Sequence, residues 1–211
     1  MKLYMHPIST TSRPVRLFVA EHRIPVEEEV VDIMTGAQYN PPYSALNPNC
    51  LVPMLEDGDL RLTESSAILK YLADKVGSPA YPKDLKQRAD INRWLLWESS
   101  TWFPSCYTYL VEYVVKPLLN AGPDETIIEK EAPNWHRLAG ILDARLAKSK
   151  WLTGDTVTIA DIAVAAPMHV HKSQRLPFDD HPNLKRWMAD VEQLPCWQKT
   201  QGAVDKALQM K

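Results

Sequence analysis

Two clusters of hydroxyl side chains are the places where this chain could do chemistry. Ser9-Thr10-Thr11-Ser12 follows His6-Pro7 and precedes Arg13-Pro14-Val15. Thr63-Glu64-Ser65-Ser66 precedes Ile68, Leu69, Leu72, Ala73 and Val76, the spacing of one helical face. Side chains of these types cap the free amides of a helix start. A helix N-terminus carrying them also attracts carboxylates and phosphates. Taken by residue type alone, both clusters read first as caps. The cysteines offer less: Cys50, Cys106 and Cys196 are odd in number and far apart. That points to a reducing compartment, without a disulfide framework or a zinc cluster. His169 and His171 would point to different sides of a helix with no suitable carboxylate or cysteine beside them, so no metal is expected.

The elements that must position these clusters can be read from periodicity. Lys2–Met5 alternates as a strand, and Pro14 suits the first turn of a helix on which Val15, Phe18 and Val19 share a face. Glu29–Ile33 reads as a second strand, followed by a polar, Pro-rich loop from Met34 to Pro48 with a short helical turn. Asp57-Gly58, set between the apolar runs Val52–Leu55 and Leu60–Leu62, predicts a hairpin with a type I′ turn. Residues 1–77 thus form a β-α-β-loop-β-β-α unit, closed by Gly77 and a linker over 78–84.

Residues 85–211 read as an all-helical domain. Ile91, Trp94, Leu95 and Trp102 keep one helical side, with Pro104 bending or interrupting it. Glu125–Lys148 is a further helix that Pro133 either kinks or divides. Thr158 and Asp161 make a capping-box variant, with Val157 and Ile162 placed as a hydrophobic staple. His181-Pro182 opens another helix, and Leu194-Pro195 precedes the last.

Composition narrows the function classes. The chain has 211 residues, 45% apolar and 24% charged, with a formal net charge of −2. This is ordinary globular material, with no electrostatic footprint for nucleic acid or an anionic membrane. No stretch approaches a membrane-spanning length and the N-terminus lacks the apolar run of a signal peptide, so a cytoplasmic enzyme or binding protein is expected.

Four pieces taken together, in this order, resemble the cytosolic glutathione transferase superfamily: PISTTSR, the VP before the hairpin, EDGDLRLTESSAI and TGDTVTIAD. The resemblance spans nearly the whole chain and is strongest to theta-like and phi-like serine enzymes. YPKDLKQRADINRWLLWESST is also theta-like, and bacterial theta-like dehalogenases share a run similar to PVEEEVVDI. It implies a thioredoxin-like N-terminal domain joined to an all-α C-terminal domain, glutathione as co-substrate, no metal, and a homodimer.

The resemblance also implies roles. A transferase of this kind must hold a thiol as thiolate, the nucleophilic form. A hydroxyl is too weak a base to take the proton but can donate a hydrogen bond to the sulfur anion. One such charge-assisted bond is worth about 1.5–3 kcal/mol, or roughly one to two pKa units. Ser9 matches the catalytic serine, with Thr10 the second choice. Ser9 and Ser12 occupy the positions where thioredoxin-like folds carry C-x-x-C, which excludes dithiol chemistry there. Val52, before a cis Pro53, would pair with the cysteinyl backbone of glutathione; Glu64 and Ser65 would hold its γ-glutamyl end, and Gln38 its glycyl carboxylate. Trp102, Phe103, Cys106, Tyr107 and Leu110 would line an electrophile pocket at the domain junction, with His6, Ile8 and Met34 opposite.

Cys50-Leu51 departs from the family pattern, because Leu51 has no donor for the glycyl end. One missing bond of this kind would weaken binding by about 1–3 kcal/mol. Three activities follow as expectations: conjugation of glutathione to apolar electrophiles with possible halide displacement, a glutathione-dependent peroxidase or isomerase, and a transferase-like binding protein without turnover.

Overall fold

The computed structural model describes residues 1–209. The chain divides into two compact units, one of residues 1–77 with the last helix, the other of residues 78–194. The first unit runs β1 (Lys2–Met5), α1 (Ser12–His22), β2 (Glu27–Val30), the single turn α2 (Tyr43–Leu46), β3 (Met54–Asp57), β4 (Leu60–Thr63) and α3 (Ser65–Lys75). The sheet has the order β2-β1-β3-β4. β2 pairs parallel to β1, while β3 and β4 pair antiparallel. Leu3 of β1 faces Leu55 of β3, which faces Leu62 of β4. Leu3, Leu55, Val15, Phe18, Ile68, Leu69 and Leu72 are fully buried, so sheet and helices share one apolar core.

Three local expectations need correction. β2 begins two residues before the predicted Glu29 and ends at Val30, with all four of its residues exposed. An edge strand of this composition has no apolar alternation to mark it. Its place is set by pairing with β1 and by Lys2, whose Nζ lies 3.5 Å from Glu27 and 3.4 Å from Glu29. Val31, beyond the strand, instead joins Tyr43, Val52 and Met54 in a buried cluster. The hairpin loop is Gly58-Asp59, because Asp57 still pairs with Leu60. Gly58 alone of the two has positive φ, at 64°, the pattern of a loop with glycine first. Asp57 is kept in the strand by Tyr71 Oη, which donates to its carboxylate at 2.6 Å, and by a salt bridge to Lys75. Finally, Glu64 at the start of α3 makes no side-chain bond to the helix amides.

The second unit is helical. α4 (Leu85–Trp97) starts at Asp84, whose Oδ1 accepts the Gln87 N–H at 2.9 Å. It passes through a π turn, Glu98–Trp102, into α5 (Phe103–Leu110), then through a second π turn, Val111–Val115, into α6 (Lys116–Leu118). Of the predicted bend or interruption at Pro104, the structure shows no break: a widened turn just before it accommodates the missing N–H. α7 (Glu125–Leu146) carries Pro133 inside one undivided helix. α8 (Ile159–Ala165), α9 (His171–Gln174) and α10 (Pro182–Glu192) complete the unit. Trp94, Trp102, Trp135 and Trp187 fill its core.

The last helix, α11 (Pro195–Gln209), packs on α1 and belongs to the first unit, which corrects its assignment to the all-helical domain 85–211. Arg13 explains the attachment. Its fully buried guanidinium donates to Thr200 Oγ1 at 2.7 Å, Gln201 Oε1 at 2.9 Å and the Trp197 carbonyl at 3.3 Å, and lies 4.6 Å from the Trp197 ring. Burial lowers the Arg13 pKa to about 10, so the group stays charged at neutral pH.

Two buried carboxyl groups yield predictions. Asp161 is fully buried: Oδ1 accepts the Leu152 N–H at 2.9 Å and Trp187 Nε1–H at 3.0 Å, while Oδ2 accepts the Thr158 N–H at 2.9 Å. A lost cap alone costs about 0.5–2 kcal/mol. Asp161→Ala would also orphan three buried donors, so urea denaturation is expected to show a loss of roughly 3 kcal/mol or more. Glu98, in the first π turn, is raised by burial to a pKa of about 8. The unfolded chain releases this proton in the usual carboxylate range while the folded chain keeps it, so stability falls as pH rises toward 8. Glu98→Gln is expected to raise the unfolding free energy at pH 8 by an amount on the order of a few kcal/mol, and so to raise Tm there and flatten its pH dependence.

Candidate active site

The sheet brings three stretches to one of its ends. Tyr4 faces Met54, and Met54 faces Thr63, so the end of β1, the start of β3 and the end of β4 lie side by side. The Ser9 turn, Val52-Pro53 and Glu64-Ser65 continue from those three ends.

Ser9 lies in the turn between β1 and α1. Its N–H donates to the His6 carbonyl at 3.0 Å and its own carbonyl accepts the Arg13 N–H at 3.0 Å. Its Oγ accepts the Ser12 N–H at 3.1 Å, so the residue does cap α1. The same Oγ lies 3.0 Å from Thr11 Oγ1. Thr11 Oγ1 donates its single hydrogen to the Val52 carbonyl at 2.7 Å. The hydrogen between Ser9 and Thr11 must therefore come from Ser9. A directed relay results, from Ser9 to Thr11 to the Val52 carbonyl. Thr10 is buried and stands outside it. His6, also buried, accepts the Ile8 N–H on Nδ1 at 3.4 Å, and burial lowers its pKa.

The Val52–Pro53 peptide bond is cis. The preceding carbonyl, of Leu51, accepts from Asn47 Nδ2 at 2.7 Å and from Tyr43 Oη. Because the Leu51 carbonyl and the Val52 N–H share one peptide plane, these two donors fix the direction in which the Val52 N–H points. The Leu51 side chain is 65% exposed and carries no donor. Cys50 has φ of 54° and its Sγ lies 3.7 Å from the Pro48 carbonyl. Gln38 sits on a 3₁₀ turn, Ala37–Tyr39, with its Oε1 buried and unpartnered among the described residues. Glu64 is exposed with φ of 68°, and Ser65 is half-buried behind it. Tyr43, Asn47 and Thr11 carry no motif; only the hydroxyl cluster hinted at Thr11.

The proposed pocket residues separate into two helical stripes. Trp102, Cys106 and Leu110 recur every fourth residue and are buried in the helical unit, where Trp102 Nε1 donates to the Val164 carbonyl at 3.1 Å. Burial pushes the Cys106 thiol well above its ordinary pKa, so it is an inert core thiol. These three therefore serve the core, a correction to their reading as pocket lining. Phe103 and Tyr107 form the neighbouring stripe, stacked with centroids 5.2 Å apart, and Tyr107 is 44% exposed. Among the described residues there is no group of three or more His, Cys, Asp or Glu that could hold a metal, and no helix is long and apolar enough to cross a membrane.

Residues 8–75 match the family model for the glutathione S-transferase N-terminal domain, and residues 107–195 that for the C-terminal domain. Glutathione S-transferase 3 of Zea mays is 34% identical, covering 97% of this chain and 94% of its own length. Human glutathione S-transferase theta-1 is 33% identical over 91% of this chain and 82% of its own. Among solved structures, glutathione transferase F7 from Populus trichocarpa superposes with a TM-score of 0.88 at 29% identity, covering 96% of this chain and 98% of that one. Human glutathione transferase theta-2, in complex with glutathione, gives 0.88 at 28% identity over 98% of this chain and 88% of that one. The chain belongs to the glutathione S-transferase family and is a glutathione transferase enzyme.

Removing the amide that holds the Leu51 carbonyl tests the loop. Asn47→Ala is expected to cost about 0.5–1.5 kcal/mol in thermal or urea unfolding, because the Leu51 carbonyl loses one of its two donors and keeps the Tyr43 hydroxyl. Faster amide exchange over residues 47–52 would accompany it.

Proposed function

We propose that Ser9 donates a hydrogen bond to the sulfur of bound glutathione and so holds it as thiolate, which then attacks an electrophilic carbon of an apolar small molecule. The sulfur–carbon bond forms as the leaving group, a halide among others, departs with its electron pair. The observation that carries this reading is the placement of the Ser9 hydroxyl at the start of α1, linked through Thr11 to the Val52 carbonyl. Val52 would pair with the cysteinyl backbone beside Pro53. Glu64 would meet the γ-glutamyl ammonium, and Ser65 with the free amides of α3 its carboxylate. The Gln38 amide would reach the glycyl end, where Leu51 adds nothing. Phe103 and Tyr107 would offer apolar surface to the acceptor. Thr10, buried one residue further on, is the second choice of donor. A cytoplasmic homodimer completes the reading, in line with the family.

Ser9→Ala is the direct test. Losing one charge-assisted bond should raise the pKa of bound glutathione by about one to two units and lower turnover at pH 7 roughly 10- to 100-fold. Affinity for glutathione should change little, since the peptide is held elsewhere. An aryl halide conjugation assay across pH, with isothermal titration of glutathione, reads both. Full turnover in Ser9→Ala would move the role to Thr10 or Ser12. Release of halide from a haloalkane tests the displacement branch.

A further inference from the structure

The relay leaves Ser9 without a hydrogen to give. Its O–H is directed at Thr11 Oγ1, 3.0 Å away, because Thr11 has spent its own hydrogen on the Val52 carbonyl at 2.7 Å. One lone pair of Ser9 Oγ is taken by the Ser12 N–H at 3.1 Å. A hydroxyl so arranged cannot stabilise an anion until its hydrogen turns away, and the turn breaks the bond to Thr11 unless Thr11 also reorients.

We propose that Thr11 is the positioning residue of Ser9, and that the peptide itself reverses the relay. This rests on the reading of Ser9 and Val52 given above. When the cysteinyl N–H of glutathione reaches the Val52 carbonyl, it supplies that oxygen with a second donor and leaves the Thr11 O–H free to turn away. Thr11 then rotates its O–H onto Ser9 Oγ, and Ser9 rotates its O–H onto the sulfur. No proton changes oxygen; only the two O–H directions change. Ser9 then accepts from both the Ser12 N–H and Thr11 while donating to the thiolate, and hydrogen bonds accepted by a hydroxyl make it a stronger donor. Thr11 never touches the sulfur. Docking of the backbone and activation of the thiol become one event.

The test titrates bound glutathione through the ultraviolet absorbance of its thiolate in the wild type, Thr11→Val, Thr11→Ser and Ser9→Ala. Thr11→Val keeps the shape and lacks the hydroxyl; its bound thiol should titrate higher by up to about one pKa unit. Thr11→Ser should titrate as the wild type does. Affinity for S-methylglutathione, which has no ionisable thiol, should change less than about threefold in every variant. Should Thr11→Val fail to fold, Thr11→Ala supplies the same readout. An unshifted titration in Thr11→Val, or a shift that Thr11→Ser shares, overturns the proposal while a shifted Ser9→Ala keeps the Ser9 reading. An unshifted Ser9→Ala overturns both.

Discussion

The peptide units on either side of Val52 are gripped at both carbonyls, and the geometry of the site follows from that grip. Asn47 and Tyr43 hold the Leu51 oxygen from the loop side, while Thr11 holds the Val52 oxygen from the α1 side. A loop residue ordinarily chooses its backbone direction from several wells at a cost of about 1–2 kcal/mol in entropy. Three side-chain donors on two adjacent carbonyls remove that freedom before any ligand arrives. The Val52 N–H therefore presents a fixed donor, and pre-organisation of this kind lowers the cost of binding an extended peptide.

That grip needs a rigid support, and the sheet supplies it. Val52 and Tyr43 belong to the buried cluster with Val31 and Met54, so the groups that bind are continuous with the groups that pack. On the other side, α1 must not shift, since Ser9 and Thr11 open it. Arg13, one turn further along, is tied to Thr200, Gln201 and the Trp197 carbonyl of α11. This buried guanidinium is tolerable because neutral acceptors and an aromatic face surround it. The final helix thus secures the first one, and a segment distant in sequence governs the rigidity of the active-site turn.

Much of this was legible from residues alone, for definable reasons. The two-unit architecture and the β-α-β then β-β-α order follow from periodicity, because core faces repeat every second or every third to fourth residue. Two hydroxyl clusters and a Val-Pro marked the ends that the sheet brings together. Periodicity failed where no face is buried, as at the exposed strand Glu27–Val30. It also failed where two stripes lie side by side: Trp102, Cys106 and Leu110 face the core while Phe103 and Tyr107 do not, a rotation of about 100° that spacing alone cannot orient. The membership of α11 was invisible for a similar reason, since an amphipathic helix does not declare what it packs against. Tyr43 and Asn47 act through bonds to a backbone carbonyl, which leaves no trace in residue spacing.

A hydroxyl is a modest tool for ionising a thiol, and its limits explain why the turn holds several. Its pKa is far above neutrality, so it contributes only as a donor whose strength depends on what it accepts. In a site that excludes water, each accepted bond counts for more than it would in solvent. The Ser12 N–H is a fixed contribution, set by the start of α1. The Thr11 hydroxyl is a variable one, because an O–H can turn where an amide N–H cannot. On the reading proposed above, a turn built from an amide and a second hydroxyl would give Ser9 two distinct states, one satisfied and inert, the other aimed at sulfur. With a carboxylate or imidazole in place of Thr11 the donor pattern would follow pH; with a hydroxyl, on the proposed reading, it would follow what occupies the Val52 carbonyl.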